Sequence, residues 1–190
     1  MSATYKVLSA ILSYPTAELQ AAGRELIFAL NEEQLLTVKH RAAVGALIAD
    51  MAAADLLEAQ SRYVDLFDRT RSLSLHFFEH VHGESRDRGQ AMVSLLERYQ
   101  KAGLDVAGRE LPDYIPLFLE FLSTLSGGEA RASLAEPAHI LAALGERLRK
   151  RGSDYASVFD AMVALSHSVP SDEVLESVRN EKVEDPRDLA

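Results

Sequence analysis

The chain has 190 residues, 47% of them hydrophobic, and a formal net charge of −9. That is enough apolar content for one packed domain and too much for a disordered chain. The absence of Cys excludes disulfides, thiolate metal sites, iron–sulfur ligation and a Cys nucleophile together. The acidic balance disfavours a nucleic-acid binder, which needs a basic face, and suits either solubility or a cationic partner.

The N-terminal "MSATYKVLSAILSYP" carries one Lys, and no small-residue cleavage site follows its short apolar segment, so it does not read as a secretory signal. No apolar run approaches the ~18–20 residues that span a bilayer. The expectation is a soluble, cytoplasmic protein.

In chain order the elements read as helices. Tyr5, Leu8 and Leu12 recur at helical spacing, as do Val7 and Ile11, so the first helix is apolar on most sides and buried. Thr16 caps a second helix to about Leu30, with Glu18 in its first turn, and Asn31 caps a third. The Ala-rich "RAAVGALIADMAAADLLEAQSRYVDLF" continues helically to Phe67, with a break near Asp50–Ala54. From Arg86 to Lys101, Met92, Leu95, Leu96 and Tyr99 form one stripe, which Gly103 ends. "LPDYIPLFLEFLSTL" is the next helix, with Pro112 in its first turn and Gly127-Gly128 as its stop. Further helices are expected at Ala135–Lys150, Ser153–Leu165 and Asp172–Arg179. The predicted fold class is all-α, a single-domain helical bundle of roughly eight helices. Residues 1–168 form its domain, and residues 169–190 an acidic, flexible tail.

Three stretches carry candidate chemistry. His76-Phe77-Phe78-Glu79-His80 is H-x-x-E-H, which on a helix places two His on one face to grip zinc with the Glu as base. A third ligand is hard to find: His82 lies off that face, and His139 and His167 come from distant helices. The plain reading is two partly exposed His beside an aromatic pair that packs inward. Next, Glu84, Arg86, Asp87 and Arg88 crowd between Gly83 and Gly89. They read either as a solvated helix start capped by Ser85 or Asp87, or as a preorganised cluster leaving Gln90 and His80 to meet a partner. Finally, Tyr114, Leu117, Phe118 and Phe121, with Glu110, Asp113 and Glu120 between them, read as core or as a groove for a basic amphipathic helix. No nucleophile elbow, P-loop or dinucleotide fingerprint occurs.

The run "YVDLFDRTRSLSLHFFEHVHGESRDRGQAMVSLLERYQKAG" followed by "ELPDYIPLFLEFLS" resembles the NarJ-type chaperones, the delta-subunit family of respiratory nitrate reductase, within the wider TorD-like group. "YKVLSAILSYPTAEL" and "HILAALGERLRKRGSDYASVFDAMVAL" fit the same pattern, so the resemblance covers most of the chain. Glu136-Pro137-Ala138-His139 partially resembles an acidic-Pro-His motif of TorD-like proteins, whereas the tail departs, since family members continue further with more acidic residues.

The resemblance implies binding without catalysis and no cofactor of the chain's own. The implied partner is the apo catalytic (alpha) subunit of respiratory nitrate reductase. Its basic amphipathic N-terminal helix would be held during molybdenum cofactor and iron–sulfur insertion, before membrane docking. Neither nucleic acid nor direct membrane insertion is implied, and H-x-x-E-H becomes an accident of spacing. The expected groove is built from the Tyr63–Phe67 helix, the Leu75–Gln90 segment and the Pro112–Phe121 helix. Its partner-binding residues are Tyr63, Phe67, Leu75, Glu79, His80, Glu84, Arg86, Asp87, Gln90, Asp113, Tyr114, Leu117, Phe118 and Glu120. The alternatives are a zinc hydrolase using His76, Glu79 and His80, and a structural subunit that stays in a complex.

Overall fold

The computed structural model describes residues 1–82, 86–106 and 110–180. Among them the chain forms α1 (Ala3–Ile11), α2 (Ala17–Ala21), α3 (Gly23–Glu33), α4 (Val38–Ala53) and α5 (Leu56–Tyr63). A π-helical turn, Val64–Asp68, and a 3-10 turn, Arg71–Leu73, lead to α6 (Glu79–His82) and α7 (Arg86–Lys101). The remainder is α8 (Ile115–Thr124), α9 (Gly127–Ala135), α10 (Ala138–Lys150), α11 (Ala156–Ser166) and α12 (Asp172–Asn180). No strand forms among the described residues, where His76 and Tyr114 make an isolated antiparallel bridge. The fold is all-α, as expected.

The first helix is central. Tyr5, Val7, Leu8, Ile11 and Leu12 are all buried, so α1 is wrapped as its apolar sequence requires, with α8 and α3 against it. Two hydrogen bonds fix its register on α8: the Ser2 amide donates to the Ser123 carbonyl at 2.8 Å, and Ser9 Oγ donates to the Pro116 carbonyl at 2.8 Å. On the other side, α10 packs closely on α11 through Leu141, Leu144, Leu148, Phe159 and Met162. Gly145 permits this approach, since a Cβ there would sit 3.1 Å from the Phe159 Cβ.

Twelve α-helices form among the described residues, where roughly eight were expected: one expected helix is divided unexpectedly, and α6 and α9 are additions to the expected set. The Thr16–Leu30 helix breaks at Ala22, where the backbone leaves helical geometry before α3 begins at Gly23. Asn31 is not a cap: it lies inside α3 and its Nδ2 donates back to the Ile27 carbonyl, while Thr37 caps the next helix. Pro112 precedes α8, whose second residue is Pro116, a place that needs no backbone N–H. Gly127-Gly128 opens α9 instead of closing α8, because Ser126 and Glu129 form a reciprocal capping box. Pro137 separates α9 from α10.

In the segment expected to be a tail, α12 lies on α10, with Val178 buried and Lys150 Nζ donating to its carbonyl at 2.7 Å. Residues 181–190 lie outside the described residues. No helix is long and apolar enough to cross a membrane among the described residues.

The α10–α11 contact makes a direct prediction. Gly145→Val should destabilise the fold by about 1–3 kcal/mol through overpacking against Phe159. A urea melt that leaves the midpoint unchanged would show that the two helices tolerate separation.

Candidate functional site

An apolar cleft of about 320 Å³ opens beside α6. Phe77, Phe78 and Val81 form one wall, and Ala91, Ser94, Leu95 and Arg98 of α7 form the facing one. Phe118 of α8 reaches it from inside, and Glu136, Pro137, His139 and Ile140 close the far end at the α9–α10 junction. The α7 wall is a single helical stripe, residues spaced i, i+3, i+4 and i+7. Phe77 packs edge-on against both Phe78 and Phe118, at centroid separations of 4.6 and 5.3 Å. Val81 is 49% exposed, so an apolar surface at the mouth faces solvent. At the rim, Arg98 donates to Glu136 at 2.9 Å and to Ser133 Oγ at 2.7 Å, which ties α7 to α9.

Behind the Phe77–Phe78 wall lies a polar cluster centred on Asp113. Its side chain is fully buried. One carboxylate oxygen accepts the Phe78 amide at 3.2 Å and lies 3.7 Å from Arg88 Nη2, and the other lies 3.3 Å from His76 Nδ1. The Asp113 carbonyl accepts the Phe77 amide at 3.1 Å. Arg88 also donates to Glu79 at 3.1 Å, which links the start of α7 to α6. The hydrogen bond to Asp113 raises the His76 pKa, against the opposing effect of burial. His80 is shifted the other way, first by burial, although its Nε2–H donates to the Ser74 carbonyl at 2.8 Å.

The family model described as "Nitrate reductase delta subunit" matches residues 18–161. This chain belongs to the nitrate reductase delta subunit family. It is similar to the "Nitrate reductase molybdenum cofactor assembly chaperone NarJ" of Escherichia coli (strain K12), with 44% identity over 180 residues, covering 94% of this chain and 76% of that protein. NarW of the same strain is 41% identical over 184 residues, covering 96% and 76%. NarJ of Bacillus subtilis (strain 168) is 29% identical over 170 residues, covering 87% and 89%.

Within this delta-subunit chain the three expected groove segments do converge. The Tyr63 and Tyr114 hydroxyls lie 3.2 Å apart, the Ile115 amide donates to the Leu75 carbonyl, and Phe77 meets Phe118. Yet Tyr63, Phe67, Leu75 and Phe118 are buried core residues, and Tyr63 donates inward to the Leu12 carbonyl. Tyr114 and Leu117 are half-buried against that core. Among the expected residues whose side chains are described, Phe118 alone lines the cleft. Asp87, Gln90 and Glu120 are exposed, Glu79 and His80 are half-buried beside the wall, and Asp113 is enclosed. Arg86 begins α7. Glu84 lies outside the described residues.

The expected partner-binding residues omit Phe78, Val81, Arg98 and Ile140, although Phe78 and Val81 fall within the expected Leu75–Gln90 segment. The α7 stripe that it picked, through Met92 and Leu96, is one residue out of phase with the cleft wall. The Glu136-Pro137-Ala138-His139 motif was the available signal for the far end.

The zinc reading meets a geometric obstacle. His76 sits in the bridge to Tyr114, ahead of α6, so it is not one helical turn from His80. One nitrogen of each His already faces a protein acceptor, Glu79 holds Arg88, and no cluster of three or more metal-ligating side chains occurs among the described residues. Purified protein should therefore carry no stoichiometric zinc, and EDTA should leave its melting temperature unchanged. One zinc per chain by elemental analysis would restore that reading.

The two His should also titrate apart. His76 stabilises the fold below its unfolded value of ~6.5, and that contribution fades as pH rises through its raised folded value. His80 does the reverse: its contribution holds above ~6.5 and fades as pH falls through its lowered value. Imidazole NMR titration should place the His76 midpoint above the His80 midpoint. Coincident midpoints would contradict the bond to Asp113.

Proposed function

We propose that this protein is an assembly chaperone that binds the N-terminal segment of the apo catalytic subunit of a nitrate reductase. It holds that segment in the cytoplasm while molybdenum cofactor and iron–sulfur clusters are inserted, before the subunit docks at the membrane. Relatives that share 44% identity bear the name of nitrate reductase molybdenum cofactor assembly chaperones, which supports the assembly-chaperone role itself. The observation that carries the reading is the cleft itself, an apolar furrow with a partly exposed mouth on a chain of net charge −9. Its walls suit the apolar face of an amphipathic helix, and the net negative charge of the whole chain suits Lys or Arg on the other face. Binding takes its free energy chiefly from apolar burial, while charge speeds encounter and sets orientation. The exposed candidates Asp87, Gln90 and Glu120 are proposed to act in that encounter, not in the cleft.

A pulldown with tagged chain should capture the catalytic subunit in its cofactor-free form and release it once cofactor is inserted. Equal capture of finished enzyme would favour a structural subunit instead. In calorimetric titration with the subunit's N-terminal peptide, Val81→Asp should weaken binding by about tenfold or more. Its melting temperature should stay near that of the natural chain, because Val81 faces solvent. Unchanged affinity would place the peptide elsewhere.

A further inference from the structure

We infer that Asp113 is a positioning residue that sets the width of the cleft from behind its wall, without touching the partner. The inference rests on the proposed reading of the cleft as the partner site. It departs from the expectation that Asp113 meets a basic residue of the partner directly.

The argument begins with burial. The Asp113 side chain has no exposed surface, so a partner in the cleft cannot reach it. A carboxylate taken out of water at such cost persists only where several donors compensate it. Those donors come from the segments that build the cleft. The Phe78 amide belongs to the first wall. Arg88 lies three residues before Ala91 on α7, the second wall, and reaches both Asp113 and Glu79. Asp113 itself stands two residues ahead of α8, which presents Phe118. His76 completes the set, with its backbone bridged to Tyr114 beside Asp113.

Three of the cleft's boundaries, all but the far end at the α9–α10 junction, thus converge on one carboxylate. The Phe77–Phe78 segment before α6 has no regular secondary structure of its own, so its path is set by these contacts more than by a helical ladder. Removing the charge leaves Arg88 beside a neutral amide and loosens the hold on the Phe78 amide. The wall and α7 then lose their common anchor, and the cleft loses its fixed spacing. A pre-set cleft spares the partner the cost of ordering it, so the loss falls on affinity.

The chain has no Trp, so Phe78→Trp installs a single fluorophore on the wall. Two perturbing variants, Asp113→Asn and Arg88→Met, are each combined with it. The second acts at a residue whose side chain is 20% exposed and serves if the first does not fold. Two probes are titrated: the N-terminal peptide of a nitrate reductase catalytic subunit, and the same peptide with every Lys and Arg changed to Gln.

Each perturbing variant should weaken both peptides by the same factor, about tenfold or more, mainly through faster dissociation. The salt dependence of association should stay that of the parent, and the Trp emission should shift to the red with easier acrylamide quenching. A loss confined to the basic peptide would overturn the inference and make Asp113 a direct contact. Unchanged affinity with unchanged emission would overturn it as well. If the natural chain, with Phe78 in place, binds neither peptide, the proposed partner is wrong, and the Trp response alone still decides whether Asp113 holds the wall.

Discussion

The fold depends on enclosing α1. A nine-residue helix apolar on nearly every side cannot lie on a surface, and the rest of the bundle is arranged to cover it. The partner on which it closes is α8, far along the chain. Ser9 seals the pair by giving its hydroxyl to the Pro116 carbonyl, so one of the two buried hydroxyls of α1, those of Thr4 and Ser9, finds its acceptor on α8. Once α8 is held this way, the residues at its start are held too. Tyr99 donates to the Pro112 carbonyl at 2.6 Å and Ile115 donates to Leu75, which brings the end of α7 and the segment before α6 to the same place. The cleft is a product of that convergence.

The cleft and the cluster behind it divide the physical work. The apolar walls offer surface whose removal from water favours binding, and they do so without strong directional demands. Direction comes from Asp113, Arg88, Glu79 and His76, which are polar, mutually paired and largely withdrawn from solvent. Paired charges in such surroundings add little net stability compared with well-packed apolar groups, yet breaking one pair is expensive. That asymmetry suits a device that fixes geometry. The Arg98–Glu136 pair at the rim is different: Glu136 is 64% exposed there, and water screens the contact.

The sequence was most legible where periodicity and caps agree. The bounds of α7 and the presence of α12 follow from stripes and flanking residues, and the buried character of α1 follows from its composition. Legibility failed where one residue type has two meanings. Gly127-Gly128 reads as a stop until Ser126 and Glu129 are paired across it, and Asn31 reads as a cap until its side chain is seen to bond within its own helix. The site was less legible than the fold. Tyr63, Phe67 and Phe118 fit a groove and a core equally well by pattern, and only tertiary packing separates the two. The H-x-x-E-H spacing presumes a helix across all five residues, whereas the chain delays that helix until Glu79 to bond with Asp113. His139 and Ile140 join the cleft through the turn at Pro137, which the Glu136-Pro137-Ala138-His139 motif marks but helical periodicity does not.

The α1–α8 seal also bears on how the chain is made. Ser9 and Pro116 are 107 residues apart, so the first helix leaves the ribosome long before its partner has been synthesised. At about 5–20 residues per second, that interval is on the order of 5–20 s. Throughout it, one of the most apolar segments of the molecule has α3 to pack against but lacks its α8 cover. Non-local closure of this kind slows folding relative to a bundle whose neighbours are consecutive, because loop entropy must be overcome before the contact rewards it. A protein proposed to shelter another chain's helix thus begins life with its own first described helix, α1, only half sheltered.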